Sequence, residues 1–188
     1  MKRFAVALSS FAILLCAVSC TKDRAGSQGG APSGSGFSLT SPAFADDSPM
    51  PALYSLEGGN KTPPLAWSKV PEGTQSLVLI CHDPDAPGGN FTHWLAWDIP
   101  PAIGRLEEGQ PKTGLMMCGG AQGLNDFGLI GWDGPSPPSG THRYMFTLIA
   151  LDTPKLPLDP GKALRSDVDK HLQGHEKGRA LLTGTFSK

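Results

Sequence analysis

The chain carries 24 glycines and 18 prolines in 188 residues, and that punctuation limits what it can fold into. Proline locks φ and removes an amide donor, so it is shut out of helix interiors and central strands. Pro63-Pro64, Pro84, Pro87, Pro100-Pro101, Pro135 and Pro137-Pro138 all fall between apolar runs, where the missing donor does no harm. The runs themselves, 75–81, 93–99, 143–151 and 180–186, crowd apolar and β-branched residues between turn signals and read as strands. Helical patterning is thin. Residues 159–177 have room for one or two short helices, with Asp159 as N-cap and Pro160 at the first helical position. The expected fold class is mainly β: an antiparallel sandwich or Greek-key arrangement with long loops and a few short helices.

The N-terminus has a different character. Lys2 and Arg3 precede an almost unbroken apolar stretch from Phe4 to Val18, and Ala17-Val18-Ser19 puts small residues before Cys20. This is the pattern of a bacterial lipoprotein signal, in which residues 1–19 are removed and Cys20 receives lipid. An ordinary signal peptide and a single membrane anchor compete with that reading, although the apolar run is short for a span. Residues 20–36, rich in Gly, Ser, Ala and Pro, cannot bury enough surface to order themselves and are expected to be a flexible linker. Residues 37–188 then form one domain of roughly 150 residues, enough for a sizeable core. The expected location is the bacterial envelope, lipid-anchored, with Thr21 leaning toward the outer membrane facing the periplasm. Net charge is −1 and the charges are scattered. No basic footprint for nucleic acid exists, nor a polybasic segment for anionic lipid. Once Cys16 leaves and Cys20 takes lipid, Cys81 and Cys118 remain. A disulfide and two separate thiols are both open, as is a homodimer.

Two stretches hold nearly all the polar chemistry: Cys81-His82-Asp83-Pro84-Asp85-Ala86-Pro87, running on to His93-Trp94, and Gly134 through Tyr144. Each sets a proline-stiffened loop a few residues before a histidine that opens an apolar run. The aspartates suit an Asx-turn, in which a carboxylate accepts amides just ahead; one is expected to shape the loop and the other, Asp83, nearest the strand end, to face the pocket. His142 and Tyr144 lie two apart, so a strand points both to one face and Arg143 to the other, where a structural ion pair awaits it. Glycines in the 134–140 loop permit close backbone approach, and free amides there can form an anion-binding nest. Imidazole N–H and phenol O–H groups would complete a donor set for a phosphate or carboxylate oxygen. Asp83 fits such a site if it accepts from a histidine and fixes its tautomer, or if the ligand presents an ammonium.

Asp-Pro-Asp-Ala-Pro, then His-Trp, then Gly-x-x-Pro-Pro-x-Gly-x-His-Arg-Tyr resembles the phosphatidylethanolamine-binding protein family, and the bacterial Raf-kinase-inhibitor-like branch most closely. Pro63-Pro64-Leu65-Ala66-Trp67, Asn125-Asp126-Phe127-Gly128, Gly131-Trp132-Asp133-Gly134-Pro135 and the final Leu182-Thr183-Gly184-Thr185-Phe186 agree with it. The resemblance runs from about Phe37 to the C-terminus. It implies a β-sandwich with a small surface pocket for phosphate-like anions and phospholipid head groups. Carried over by motif position, the ligand-binding residues are Asp83, Asp85, Pro87, His93, Gly134, Pro138, His142 and Tyr144. Ser136 stands where the family often has glycine, and the chain ends on a strand-like run rather than the C-terminal helix of eukaryotic members. Kinase inhibition belongs to animal members and is not carried over.

Other chemistries are weaker. His82, Asp83, Asp85, His93 and His142 include enough N and O donors for a metal-dependent hydrolase, but no compact ligand spacing appears, and His171-Leu172-Gln173-Gly174-His175 lacks the glutamate of the zinc-protease patterns. No Gly-x-Ser-x-Gly elbow is present, and Asp126-Phe127-Gly128 stands without the other kinase motifs. A lipid-anchored interaction module is the third reading. The expectation is a non-enzymatic binding domain with no cofactor, whose affinity for anions falls as pH rises through the histidine range.

Overall fold

The structure, a computed structural model, describes Met1 and residues 36–188. The expected signal segment, Cys20 and all but the last residue of the expected linker lie outside the described residues. Among the described residues, nine strands and one α-helix follow in chain order, with two short 3-10 turns at Ala52–Tyr54 and Pro101–Ile103: β1 (Ser38–Thr40), β2 (Ser48–Pro49), β3 (Leu65–Ser68), β4 (Ser76–Asp83), β5 (Phe91–Ile99), β6 (Arg105–Leu106), β7 (Ala121–Gln122), β8 (Thr141–Leu151), α1 (Arg165–Leu172) and β9 (Glu176–Ser187). They form a six-stranded sheet ordered β2-β9-β8-β4-β5-β7 and a three-stranded sheet ordered β1-β3-β6. All pairings are antiparallel except the edge pair β2–β9, which is parallel.

The centre of the large sheet is buried on both faces, which is why β4 reads as a continuous apolar run rather than an alternating one. Leu77, Leu79, Cys81, Trp94, Ala96, Tyr144, Phe146 and Leu148 point to one face and pack against Leu39, Leu65, Trp67 and Leu106 of the small sheet. Val78, Ile80, Leu95, Trp97 and Ile149 point to the other and are covered by Leu156, Ala163 and Val168. At roughly 1.5–3 kcal/mol per fully buried large side chain, these two layers dominate the stability of the fold. Cys81 and Cys118 are both free, the first fully buried and the second partly exposed.

The helix starts later than its best sequence signal. Asp159-Pro160 builds a turn instead, in which the Asp159 carbonyl accepts the Lys162 and Ala163 amides and Gly161 takes φ 75°. Helix α1 begins at Arg165, and the Asp167 carboxylate accepts the otherwise free Leu164 amide at 3.1 Å. An acidic side chain in the first turn thus does the capping that Asp159 seemed placed to do.

Strand β5 departs from regular pairing near its start. Cys81 lies opposite Trp94, but His82 lies opposite Thr92, so His93 is the extra residue of a β-bulge. Strict alternation would send His93 to the face opposite Trp94. The bulge instead turns its ring to the Trp94 face, against Tyr144 and Trp132.

Candidate functional site

One end of the large sheet brings together the last residue of β4, the start of β5 and the start of β8. Asp83, His93, His142 and Tyr144 meet there around a cavity of about 160 Å³, closed on its sides by Pro87, Phe91, Phe127 and the Ser136-Pro137-Pro138 stretch. These four residues are almost wholly buried: Asp83 3%, His93 3%, His142 8% and Tyr144 0% exposed.

Asp83 does two jobs. One carboxylate oxygen accepts the Asp85 amide at 2.8 Å, the Asx-turn expected of the loop, and the other accepts from His142 Nδ1 at 2.7 Å. An ionised carboxylate has no proton to give, so Nδ1 carries the hydrogen and His142 Nε2 is its remaining polar atom. His93 is held from a different direction. Its Nδ1 lies 2.6 Å from the Asp133 carbonyl, and the Asp133 amide donates back to the His93 carbonyl at 3.1 Å. Burial lowers the His93 pKa against the opposing pull of that carbonyl, so the neutral imidazole is favoured.

Asp133 is itself a buried carboxylate. Asn60 Nδ2 donates to it at 2.7 Å, Asn125 Nδ2 at 2.8 Å and Lys112 Nζ at 2.5 Å. Burial pushes its pKa up, but these three donors outweigh burial and hold it below the usual range. The sequence reading missed this support. Its only local sign was Asp133 standing inside a Gly-Trp-Asp-Gly-Pro run, with its partners distant in sequence.

The Tyr144 hydroxyl is buried without a hydrogen-bond partner. Burial, then the Asp83 charge, raises its pKa far above the tyrosine range, so it remains a phenol. The Ser136 backbone opposes that shift from nearby but does not reach hydrogen-bonding geometry with the oxygen. A buried O–H with no partner costs roughly 1–3 kcal/mol, and sites that tolerate one usually have a ligand or water to receive it.

Six of the eight residues carried over from the motif line the cavity: Asp83, Pro87, His93, Pro138, His142 and Tyr144. Asp85 and Gly134 stand apart from it. Both Asp85 carboxylate oxygens are taken by Arg143, through Nε at 2.9 Å and Nη2 at 2.7 Å, with the Arg143 amide adding a third bond at 3.0 Å. Gly134 is required by packing: a Cβ there would sit 2.0 Å from the Tyr54 carbonyl oxygen. Its amide is spent on Asn60 Oδ1 at 2.9 Å. With three of the seven loop residues proline, the expected nest shrinks to the amides of Ser136, Ser139 and Gly140, of which only Ser136 borders the cavity. Sequence reasoning also missed Phe91 and Phe127, which pack edge to face at 4.7 Å. The Asn125-Asp126-Phe127-Gly128 motif pointed there: Asp126 accepts the Thr92 amide at 2.6 Å and straps this loop across the start of β5.

Fold and cavity together define a two-sheet β domain with a small pocket at one sheet end, lined by a few buried polar side chains among apolar ones. The comparisons give that class its family. The family profile described as phosphatidylethanolamine-binding protein matches residues 40–187, and the chain belongs to this family. A UPF0098 protein of Methanothermobacter thermautotrophicus is 46% identical over 152 residues, covering 81% of this chain and 99% of its own. LppC of Mycobacterium tuberculosis, named as a candidate lipoprotein, is 39% identical over 158 residues, covering 83% of this chain and 75% of its own. Among solved structures, YbcL of E. coli, described as a member of the mammalian PEBP family, superimposes with a TM-score of 0.76 at 33% identity, covering 81% of this chain and 98% of its own. CT736 of Chlamydia trachomatis, described as a PEBP homologue, gives 0.73 at 36% identity, covering 81% and 97%.

Proposed function

We propose that this domain binds a phosphate-like oxyanion, free or as a phospholipid head group, without catalysing a reaction, and that lipid on Cys20 holds it in the cell envelope. The observation that carries the reading is the Tyr144 hydroxyl, fully buried, unpartnered and in the same cavity as a histidine whose ring is set by Asp83. An anion placed there accepts from the Tyr144 O–H, from the Ser136 amide and from His142 Nε2 in its imidazolium form. At about 160 Å³ the cavity is smaller than the roughly 300–1,000 Å³ of typical small-molecule sites, which suits a head group better than a whole metabolite.

The absence of chemistry rests on how the candidate nucleophiles are engaged. The Ser136 hydroxyl donates to Glu57 at 2.6 Å. Cys81 is fully buried, and burial, then the Asp83 charge, keeps its thiol protonated. Among the described residues no group of three His, Cys, Asp or Glu side chains is spaced to hold a metal ion. The envelope location is supported by the Lys2–Cys20 pattern and by the name of LppC.

Titration of inorganic phosphate and phosphoethanolamine across the histidine pH range, on wild type and His142→Ala, tests the binding reading. His142→Ala is expected to bind more weakly, because it lacks the imidazole that Asp83 orients. Equal affinity in the two proteins removes His142 from the mechanism, and no binding of either ligand by wild type ends the anion reading. Mass spectrometry of the mature N-terminus in wild type and Cys20→Ala decides the anchor.

A further inference from the structure

The cavity has two chemically different sides, and the side formed by His93 narrows what can bind. A carbonyl oxygen has no proton to donate, so the 2.6 Å contact between His93 Nδ1 and the Asp133 carbonyl requires the hydrogen to sit on Nδ1. In the neutral ring, Nε2 then carries a lone pair and no hydrogen. Burial favours that neutral ring. The packing leaves little freedom to do otherwise, because Phe91, Phe127, Trp132 and Tyr144 all hold the imidazole, with ring centroids between 5.1 and 6.3 Å away. The carbonyl cannot move away either, since the Asp133 amide is bonded to His93 and its carboxylate is tied to Asn60, Asn125 and Lys112.

We infer that His93 is a specificity residue acting as a hydrogen-bond acceptor, so that this pocket selects oxyanions carrying a hydrogen of their own. This inference rests on the anion reading of the site and adds the ligand's protonation. The ligand class is a phosphate monoester or hydrogen phosphate, whose P–OH donates to His93 Nε2 while its other oxygens receive the Tyr144 and Ser136 hydrogens. An oxyanion with no hydrogen, such as a sulfonate, turns a lone pair toward the Nε2 lone pair. A site built around a buried acceptor rejects the analogue lacking the matching donor more strongly than a merely apolar wall does.

Methylphosphonate and methanesulfonate make a matched pair, since at about pH 6 both are tetrahedral monoanions with one methyl group and only the phosphonate retains an O–H. Calorimetric titration of wild type is expected to give about ten-fold or greater preference for methylphosphonate, the fold-change associated with satisfying one buried acceptor. Equal affinity for the two overturns the selectivity and leaves the anion pocket standing. Failure of both to bind overturns the selectivity together with the anion reading beneath it. His93→Phe keeps a ring in the aromatic setting and is expected to bring the ratio close to one. Because that variant also strips a partner from the Asp133 carbonyl, ¹⁵N spectroscopy of the wild-type imidazole provides the second readout. The His93 Nε2 resonance is expected to be that of an unprotonated nitrogen and to shift on adding methylphosphonate but not methanesulfonate. An Nε2–H resonance in the free protein overturns the proposal. Vesicles of phosphatidic acid, a monoester, against soluble glycerol phosphate then separate a lipid source from a free one: co-sedimentation with vesicles that glycerol phosphate displaces identifies the same site for both.

Discussion

Two Asp-to-β8 pairs, built on aspartates two residues apart at the end of β4 and in the loop just after it, behave as opposites. Asp83 takes His142 on the inner face of β8, where the two side chains are 5% and 10% exposed. Asp85 takes Arg143 on the outer face, where they are 31% and 54% exposed. The outer pair has better geometry, with two side-chain bonds and one from the backbone, yet it sits where water and salt screen it and its net worth is small. The inner pair has one bond and sits where unpaired charge is most costly. Good geometry marks the exposed structural pair; burial beside an unpartnered phenol marks the pair that the proposed binding site uses.

The largest expected effect comes from breaking the inner pair. Asp83→Ala leaves His142 buried without its acceptor and frees the Asp85 amide, so the domain loses about 3–5 kcal/mol of stability and phosphate binding becomes undetectable. Urea denaturation with a phosphate titration measures both. A loss under 1 kcal/mol would make the inner pair no different from the outer one and end the contrast.

Tyr144→Phe acts in the other direction on stability. Removing a buried hydroxyl that has no partner is expected to stabilise the free protein by about 1 kcal/mol while weakening phosphate binding about ten-fold. A variant less stable than wild type shows that the hydroxyl is satisfied within the protein and is not waiting for a ligand.

How much of this was legible beforehand varies with the kind of interaction. Strands β4 and β5 and the second half of β8 stood out because burial on both sheet faces makes their apolar runs continuous, while β9, whose burial alternates, stood out only by its short apolar run. Strands of two to four residues, such as β2, β6 and β7, gave no such run, and their pairing depends on distant chain. Alternation alone placed His142 and Tyr144 on one face and Arg143 on the other, and β8 has that arrangement. It failed for His93, whose facing depends on a bulge created by the pairing of β5 with β4. It was also misleading for Gly134, where the motif suggested approach to a ligand and the structure shows approach to the Tyr54 backbone. Local rules thus read side chains on regular strands and lose those whose direction is set by bulges, packing or long-range hydrogen bonds.

The smallest effects lie in the pH dependence, where the two faces separate cleanly. Arg143 hydrogen bonds, against a smaller opposing cost of burial, hold the Asp85 carboxyl down at about 2 from an ordinary 3.8. Its folded-state pKa is below its unfolded one, so its contribution is complete above pH 3.8 and is lost as pH falls through about 2. Arg143→Ala should therefore cost at most about 1 kcal/mol, with phosphate affinity unchanged, and the difference from wild type should close as pH falls from 4 toward 2. His93 on the inner side is also lowered, but from 6.5 and by burial. Below that value the unfolded chain takes up a proton that the folded one resists, so stability falls with pH well before the carboxylates titrate. Stability measured from pH 7 to 2 should show this early decline in both wild type and Arg143→Ala, and a late one that is steeper in wild type. Both proteins keep the lowered Asp133 carboxyl, but only wild type has the Asp85–Arg143 pair. If Arg143→Ala alters the early decline instead, the outer pair reaches into the pocket, and the division between the two faces of β8 fails.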